Sequence, residues 1–192
     1  MKKVKVVEIG PRDGFQNVKE FIPTETKLRI IDQLVAAGFQ KIQITSFVSP
    51  KAIPQLRDCR QVVEHCLAKY PKNKLFALVP NFTGARLAVE AGLTEISPVL
   101  SLSESHNMNN VKRTVAQSIE EMKKIRQAFP DVKITQDIAT AFGCPFEGEM
   151  PVEALVELVG KLHVLGIRAF TLCDTVGLAY PTLVEKVFRT VK

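Results

Sequence analysis

Tryptophan is missing from this 192-residue chain, tyrosine occurs twice and histidine three times. No run of about 18 apolar residues exists, so no membrane span is expected. The Met-Lys-Lys start leads into a strand-like pattern containing Glu8, which argues against a signal peptide and makes a cytoplasmic location the default. The four cysteines, Cys59, Cys66, Cys144 and Cys173, include no Cys-x-x-Cys pair and are expected to be reduced thiols packed in the interior. The net charge is +6, but no dense basic tract carries it: Lys2, Lys3 and Lys5, then Lys112 and Arg113, then Lys123, Lys124 and Arg126 are small separate groups. With no Trp, only two Tyr and no dense basic tract this is not the footprint of a nucleic-acid binder, although a ligand with several phosphates is compatible. No Gly-x-Gly-x-x-Gly follows the first strand-like run, which weakens a dinucleotide-binding reading.

What is present is a regular alternation. Short β-branched runs at 4–9, 41–45, 74–79, 95–99, 132–138 and 168–172 read as six strands. Amphipathic patterns separate them: a helix capped by Thr24, with Lys27 where a capping-box Glu would stand, a less regular one over 54–69, a short one after Pro80-Asn81, a long one over 111–129, one from Pro151 to Leu165 and one beginning near Pro181. Ala37-Gly38, Ala91-Gly92 and Leu165-Gly166 precede strands, as expected where a helix stops and the chain turns back into a sheet. Polar residues gather after several different strands. That habit favours an α/β fold of the (β/α)8 TIM-barrel type over an open doubly wound sheet. A full barrel takes about 250 residues, so residues 1–192 are expected to form a single incomplete barrel domain of about six βα units. Open sheet edges would then favour association, and a homo-oligomer is expected.

The first candidate site lies in Val6-Val7-Glu8-Ile9-Gly10-Pro11-Arg12-Asp13-Gly14. An apolar run stops at a Gly-Pro turn, and an Arg-Asp pair follows on a Gly-flanked loop. Arginine offers a fixed fork of donors to a carbonyl oxygen that becomes an enolate, and aspartate can hold a hard divalent ion. The plain alternative is an ion pair between neighbours in a surface turn.

Five phrases carry a resemblance. Gly10-Pro11-Arg12-Asp13-Gly14-Phe15-Gln16-Asn17, Thr45-Ser46-Phe47-Val48-Ser49-Pro50-Lys51, Pro80-Asn81, Gly143-Cys144-Pro145-Phe146-Glu147-Gly148 and Asp174-Thr175-Val176-Gly177 together resemble the hydroxymethylglutaryl-CoA lyases. These belong to a metallolyase barrel group that also holds isopropylmalate and homocitrate synthases. The resemblance implies a metal-assisted retro-Claisen cleavage of a 3-hydroxy-3-methylglutaryl thioester to acetyl-CoA and acetoacetate, a step of leucine degradation. It also implies a divalent metal, Mg²⁺ or Mn²⁺, with Asp13 as ligand and Arg12 as the enolate-stabilising cation. Glu8 and Asp174 match supporting carboxylates, and Asp174 is a candidate for proton transfer. Glu8 can equally satisfy a neighbouring Arg or Lys, and Asp174 can be a strand-end turn residue.

Gln43 stands where the family presents a glutamate; it keeps hydrogen-bonding capacity but neither base strength nor charge. The family's His-x-His pair, its further Asn and its catalytic cysteine have no counterpart within 1–192, so the chain reads as truncated before the last two βα units. Cys144 is expected to be structural, His106 a solvated loop residue, and His65 and His163 helix residues. Three alternatives stay open: a silent homologue that binds acyl-CoA or a partner without turnover, a citramalyl-CoA-type lyase, and a Claisen-condensing synthase of the same group.

Overall fold

The runs rich in Ile, Val and Leu become strands that are largely buried on both faces, the environment of parallel sheets, except the one at 169–172, which is half-buried to exposed. In the computed structural model, which describes residues 4–191, these are β1 (Lys41–Ser46), β2 (Lys74–Val79), β3 (Glu95–Ser101), β4 (Lys133–Ala139) and β5 (Ala169–Leu172). They form one sheet whose strand order follows the sequence. β1 runs parallel to β2, with Lys41 beside Lys74, and β4 runs parallel to β5, with Thr135 beside Ala169. The helices are α1 (Gly10–Gln16), α2 (Thr24–Ala36), α3 (Cys59–Lys69), α4 (Phe82–Glu90), α5 (Glu104–Val111), α6 (Val115–Ala128), α7 (Val152–Val164) and α8 (Pro181–Val191). No described helix is long and apolar enough to cross a membrane.

The three expected helix stops are realised in one geometry. Gly38, Gly92 and Gly166 have φ of 96°, 99° and 88°, a left-handed conformation open to glycine without a Cβ clash. After α2, Gly38 N–H donates to Val35 O and Phe39 N–H to Leu34 O. The same pair of bonds follows α4 (Gly92 to Val89, Leu93 to Ala88) and α7 (Gly166 to His163, Ile167 to Leu162). Each is a Schellman ending: it satisfies orphan carbonyls and puts an apolar residue next to the following strand.

Contacts divide the chain into two compact units. The first is Met1–Val79 with Thr83–Ser97 and Asp131–Lys133; the second is Pro80–Phe82, Pro98–Pro130 and Ile134–Lys192. The first unit's core holds Ile31, Ile42, Ile44, Val62, Val63, Cys66 and Val79. Beneath it, the Glu95 carboxylate takes Lys41 Nζ at 2.5 Å and Lys133 Nζ at 3.1 Å. The second unit's core holds Leu100, Ile125, Ile138, Leu155, Leu162 and Ile167.

Several expectations are corrected. Within 4–9 only Glu8 pairs, its N–H donating to Lys41 O and its carbonyl accepting from Gln43 N–H. A strand apolar on both faces needs cover on both, and Val4 and Val6 are 92% and 70% exposed. Five strands and one bridge therefore stand where six strands were expected. The Arg12-Asp13 segment is helical, because Pro11 in the first turn is preset for a helix. The long helix of 111–129 is two: Lys112 turns left-handed (φ 57°), and Thr114 opens α6 with a capping box to Gln117. Of the cysteines, Cys66 and Cys144 are interior, whereas Cys59 and Cys173 are half-buried; none of the four is in a disulfide. Burial pushes the Cys66 thiol up to about 12, aided by the charge of Asp32, so it stays protonated.

Thr24 does not cap α2; Pro23 holds that position. Both Thr24 and Lys27 turn to Asp58, 34 and 31 residues away: Thr24 Oγ1 donates to Oδ2 at 2.8 Å and Lys27 Nζ to Oδ1 at 2.6 Å. A carboxylate is a charged acceptor, whose hydrogen bonds are stronger than neutral ones, and it sets where both donors point. Lys27 Nζ also donates to Gln55 O and lies 4.3 Å from the Phe21 ring centroid. Because this ion pair is 2% and 5% exposed, Lys27→Met leaves Asp58 charged and buried. A loss of about 3–5 kcal/mol in urea unfolding is expected, with much of it recovered in Lys27→Met/Asp58→Leu.

Candidate active site

In the first unit, four of the sequence-predicted site residues meet. Glu8 Oε1 accepts the Gly10 N–H at 2.6 Å, so this carboxylate closes the N-terminus of α1, where orphan amides and the positive helix end favour it. It binds neither Arg nor Lys among the described residues; its role is to fix the start of the helix that carries Arg12. A Cβ on Gly10 would stand 2.9 Å from the same oxygen, which explains the glycine.

One turn on, Arg12 Nε donates to Gln43 Oε1 at 2.6 Å and its NH1 to Asp13 Oδ1 at 2.6 Å. Gln16 Nε2 also reaches Asp13 Oδ1, at 3.2 Å. The guanidinium side chain is 13% exposed and held on two edges, with three of its five N–H donors unassigned among the described residues. Gln43, 2% exposed, is the buried anchor. The strand register shifts between Gln43 and Thr45, a bulge of the kind that re-aims side chains beside sites.

Sequence reasoning passed over Ser46. Its hydroxyl ends β1 fully buried and without a hydrogen-bond partner among the described residues. An orphaned buried hydroxyl at a strand's carboxyl end is a place for a ligand oxygen or a water to bind. Only its place in the Thr-Ser-Phe phrase hinted at this.

In the second unit the centre is Ser103, which sequence reasoning also missed. As N-cap of α5 its Oγ accepts from His106 N–H at 3.0 Å and from the Cys144 thiol at 3.0 Å, and it donates to Glu147 Oε1 at 2.8 Å. Glu147 Oε1 accepts also from Ser105 N–H, and these bonds hold its carboxyl below the usual carboxylate range. Cys144 is therefore a structural thiol, as expected: it is buried, and its sulfur also accepts from Phe146 N–H. Beneath them Thr140 adopts a left-handed backbone (φ 58°), rare outside glycine, with its N–H on Thr175 Oγ1. Asp174 accepts from Leu178 N–H at 2.9 Å and Ala179 N–H at 3.2 Å, which fixes the turn after β5.

The donor set does not fit a divalent ion by itself. Among the described residues no three His, Cys, Asp or Glu side chains gather to hold a metal. Asp13 brings one carboxylate with one oxygen already engaged, whereas Mg²⁺ takes near-octahedral oxygen coordination.

Two measurements check this geometry. Gly10→Ala displaces the Glu8 carboxylate and is expected to lower stability by about 0.5–2 kcal/mol, with no further loss on adding Glu8→Ala. Glu147 has its pKa lowered by folding, so its stabilisation is present above the unfolded carboxylate's pKa and fades as pH falls through the folded one. Glu147→Gln should flatten the stability profile in that acidic window, as followed by thermal unfolding against pH.

The comparisons with known proteins bear on what this geometry serves. The family described as HMGL-like matches residues 3–192. The chain is 38% identical to the hydroxymethylglutaryl-CoA lyase of Bacillus subtilis over 190 residues, covering 98% of this chain and 63% of that protein. It is 36% identical to the mitochondrial hydroxymethylglutaryl-CoA lyase of Mus musculus, covering 99% of this chain and 59% of that one. The fold superposes with a TM-score of 0.93 on an HMG-CoA lyase from Acinetobacter baumannii in complex with coenzyme A and 3-methylmalate, at 40% identity over 97% of this chain and 61% of the other. The crystal structure of the Bacillus subtilis enzyme gives the same score at 37% identity, covering 100% and 64%. The chain thus spans about three-fifths of these relatives' length. On the match across its whole described length and the likeness in fold, this chain belongs to the HMGL-like family.

Proposed function

We propose that this protein cleaves a carbon–carbon bond in a 3-hydroxyacyl-CoA, with 3-hydroxy-3-methylglutaryl-CoA as substrate and acetyl-CoA and acetoacetate as products. The observation that carries the reading is the grip on Arg12, joined to the family's likeness in sequence and fold. In the retro-Claisen step the tertiary hydroxyl loses its proton and its oxygen becomes the ketone of acetoacetate. The electrons of the breaking bond pass into the thioester fragment, whose carbonyl oxygen becomes an enolate; a proton on its carbon completes acetyl-CoA.

The enolate oxygen needs a positive partner already in place. Arg12 meets that need: Gln43 and Asp13 fix the plane of its guanidinium, and its unassigned N–H groups can face the oxygen. Gln43 holds Nε without cancelling the cation, as a glutamate there would in part. Glu8 acts one step back, by setting the helix on which Arg12 stands. A proton-transfer role for Asp174 requires one of its two backbone bonds to open. Asp13 can supply a single ligand to Mg²⁺ or Mn²⁺, and the steps assigned here rest on Arg12.

A second reading, binding of acyl-CoA without turnover, is favoured by the incomplete set of metal donors among the described residues. Acetyl-CoA release from 3-hydroxy-3-methylglutaryl-CoA, with Mg²⁺ and with EDTA, separates the two. Release by the wild type that falls about 10²–10³-fold in Arg12→Gln, with KM little changed, supports the lyase. Calorimetric binding of the thioester without release supports the silent binder, and absence of both overturns the acyl-CoA reading.

A further inference from the structure

The Phe21 ring carries two cations: Lys27 Nζ lies 4.3 Å from its centroid and Arg57 Cζ 3.5 Å. They differ in what answers their charge. Lys27 is buried and paired with Asp58, whereas Arg57 is exposed and has no carboxylate partner among the described residues. Its one hydrogen bond, from NH1 to Pro54 O, is long at 3.4 Å, which leaves four of the five guanidinium N–H groups unassigned among the described residues. Contact with the ring face holds the plane of this fork without using its donors.

Arg57 opens on a cleft of about 530 Å³, bounded by Phe21, Thr24, Arg57, Asp58, Arg60 and Gln61, all in the first unit. Asp58 is the one acid in this lining, and both its oxygens are engaged, Oδ2 by Thr24 Oγ1 and Oδ1 by Lys27 Nζ. Although Asp58 holds the N-cap position of α3, its side chain therefore gives that helix no cap bond, and the positive end of α3 faces no capping carboxylate. Arg60, in the first turn of α3, has Nε on Glu64 at 2.8 Å in an exposed i,i+4 pair, which is weak, and its two terminal nitrogens have no partner among the described residues. Gln55, two residues before Arg57, donates to Val18 O at 3.0 Å and Lys19 O at 3.4 Å, which pins this wall to the segment that follows α1.

Two guanidinium charges thus stand against a carboxylate that is already neutralised, so the cleft selects an anion. A lone carboxylate is answered by one arginine, whereas two arginines match a dianion, and a phosphate monoester approaches that charge near pH 7. The cleft has the size of a small-molecule site, larger than a bare phosphate needs, so the phosphate is one that carries an organic body. We propose that this cleft binds a phosphate ester, with Arg57 and Arg60 holding the phosphate and Phe21 as the positioning residue that sets the plane of Arg57. Two sources share that chemistry, the nucleotide end of an acyl-CoA and a separate phosphorylated ligand. The proposal does not depend on carbon–carbon bond cleavage.

Titration calorimetry at low salt with CoA, ADP and adenosine tests it, adenosine being the probe without phosphate. The wild type is expected to bind CoA, ADP or both about tenfold more tightly than adenosine, and added salt to weaken that binding. Arg57→Gln and Arg60→Gln should each weaken it about tenfold. Phe21→Leu, which keeps both charges, should cost about threefold, with recovery in Phe21→Tyr, which keeps the ring. Thermal unfolding of each variant serves as the fold control. A loss in the arginine variants with CoA assigns the site to the nucleotide end of the thioester, and a loss with ADP while CoA binds as before assigns it to a separate phosphorylated ligand. Adenosine bound as tightly as the phosphorylated probes, no loss in either arginine variant, or no binding of CoA and ADP by the wild type overturns the proposal. Acetyl-CoA release by the wild type decides the lyase reading on its own, so the two fail separately.

Discussion

Where a parallel strand ends and its helix has not yet begun, backbone N–H groups lose their sheet partners and need other acceptors. Side-chain oxygens meet that need repeatedly in this protein. Glu8 takes the amide of Gly10, Glu147 that of Ser105, and Asp174 those of Leu178 and Ala179. Thr175 Oγ1 takes Thr140 N–H, and Asn107 Oδ1 takes Ser101 N–H. The loops at the strands' carboxyl ends owe their shape to these bonds, so the polar residues there organise backbone as well as chemistry.

That constraint changes how the acidic residues read. A carboxylate in a family phrase invites a catalytic role, yet Glu8 and Asp174 both work through backbone amides in this structure. What they hold is what can act. Glu8 sets α1, α1 presents Arg12, and Gln43 and Asp13 fix the guanidinium on two edges. In the second unit Glu147 holds Ser103, Ser103 caps α5, and α5 presents His106. Arg12 and His106 are thus each the last member of a hydrogen-bonded series that fixes where the side chain stands.

Much of the fold was legible in local pattern. The β-branched runs at 74–79, 95–99 and 132–138 fall within a residue or two of β2, β3 and β4, because a strand buried on both faces is mostly apolar, with Ser97, Gln136 and Asp137 as buried polar exceptions. The Ala-Gly and Leu-Gly pairs marked the Schellman endings, because only glycine enters that conformation freely. The run at 4–9 has the same composition and is no strand beyond one bridge. Whether an apolar run pairs depends on a neighbour and a cover, and neither is encoded in the run itself.

The sequence by itself determined the α/β class and the family, since those depend on residue types and their order along the chain. Tertiary structure alone decided which partner each polar group takes. Lys27 and Thr24 look like helix-start residues until Asp58 arrives from 31 and 34 positions away. Gln43 looks like a lost carboxylate until its amide oxygen is found on Arg12, also 31 positions distant. Cys144 and Ser103, 41 apart, show no link in sequence. Hydrogen bonds act over about 3 Å and follow donors and acceptors through space, so pairings at this separation exist only once the chain has folded.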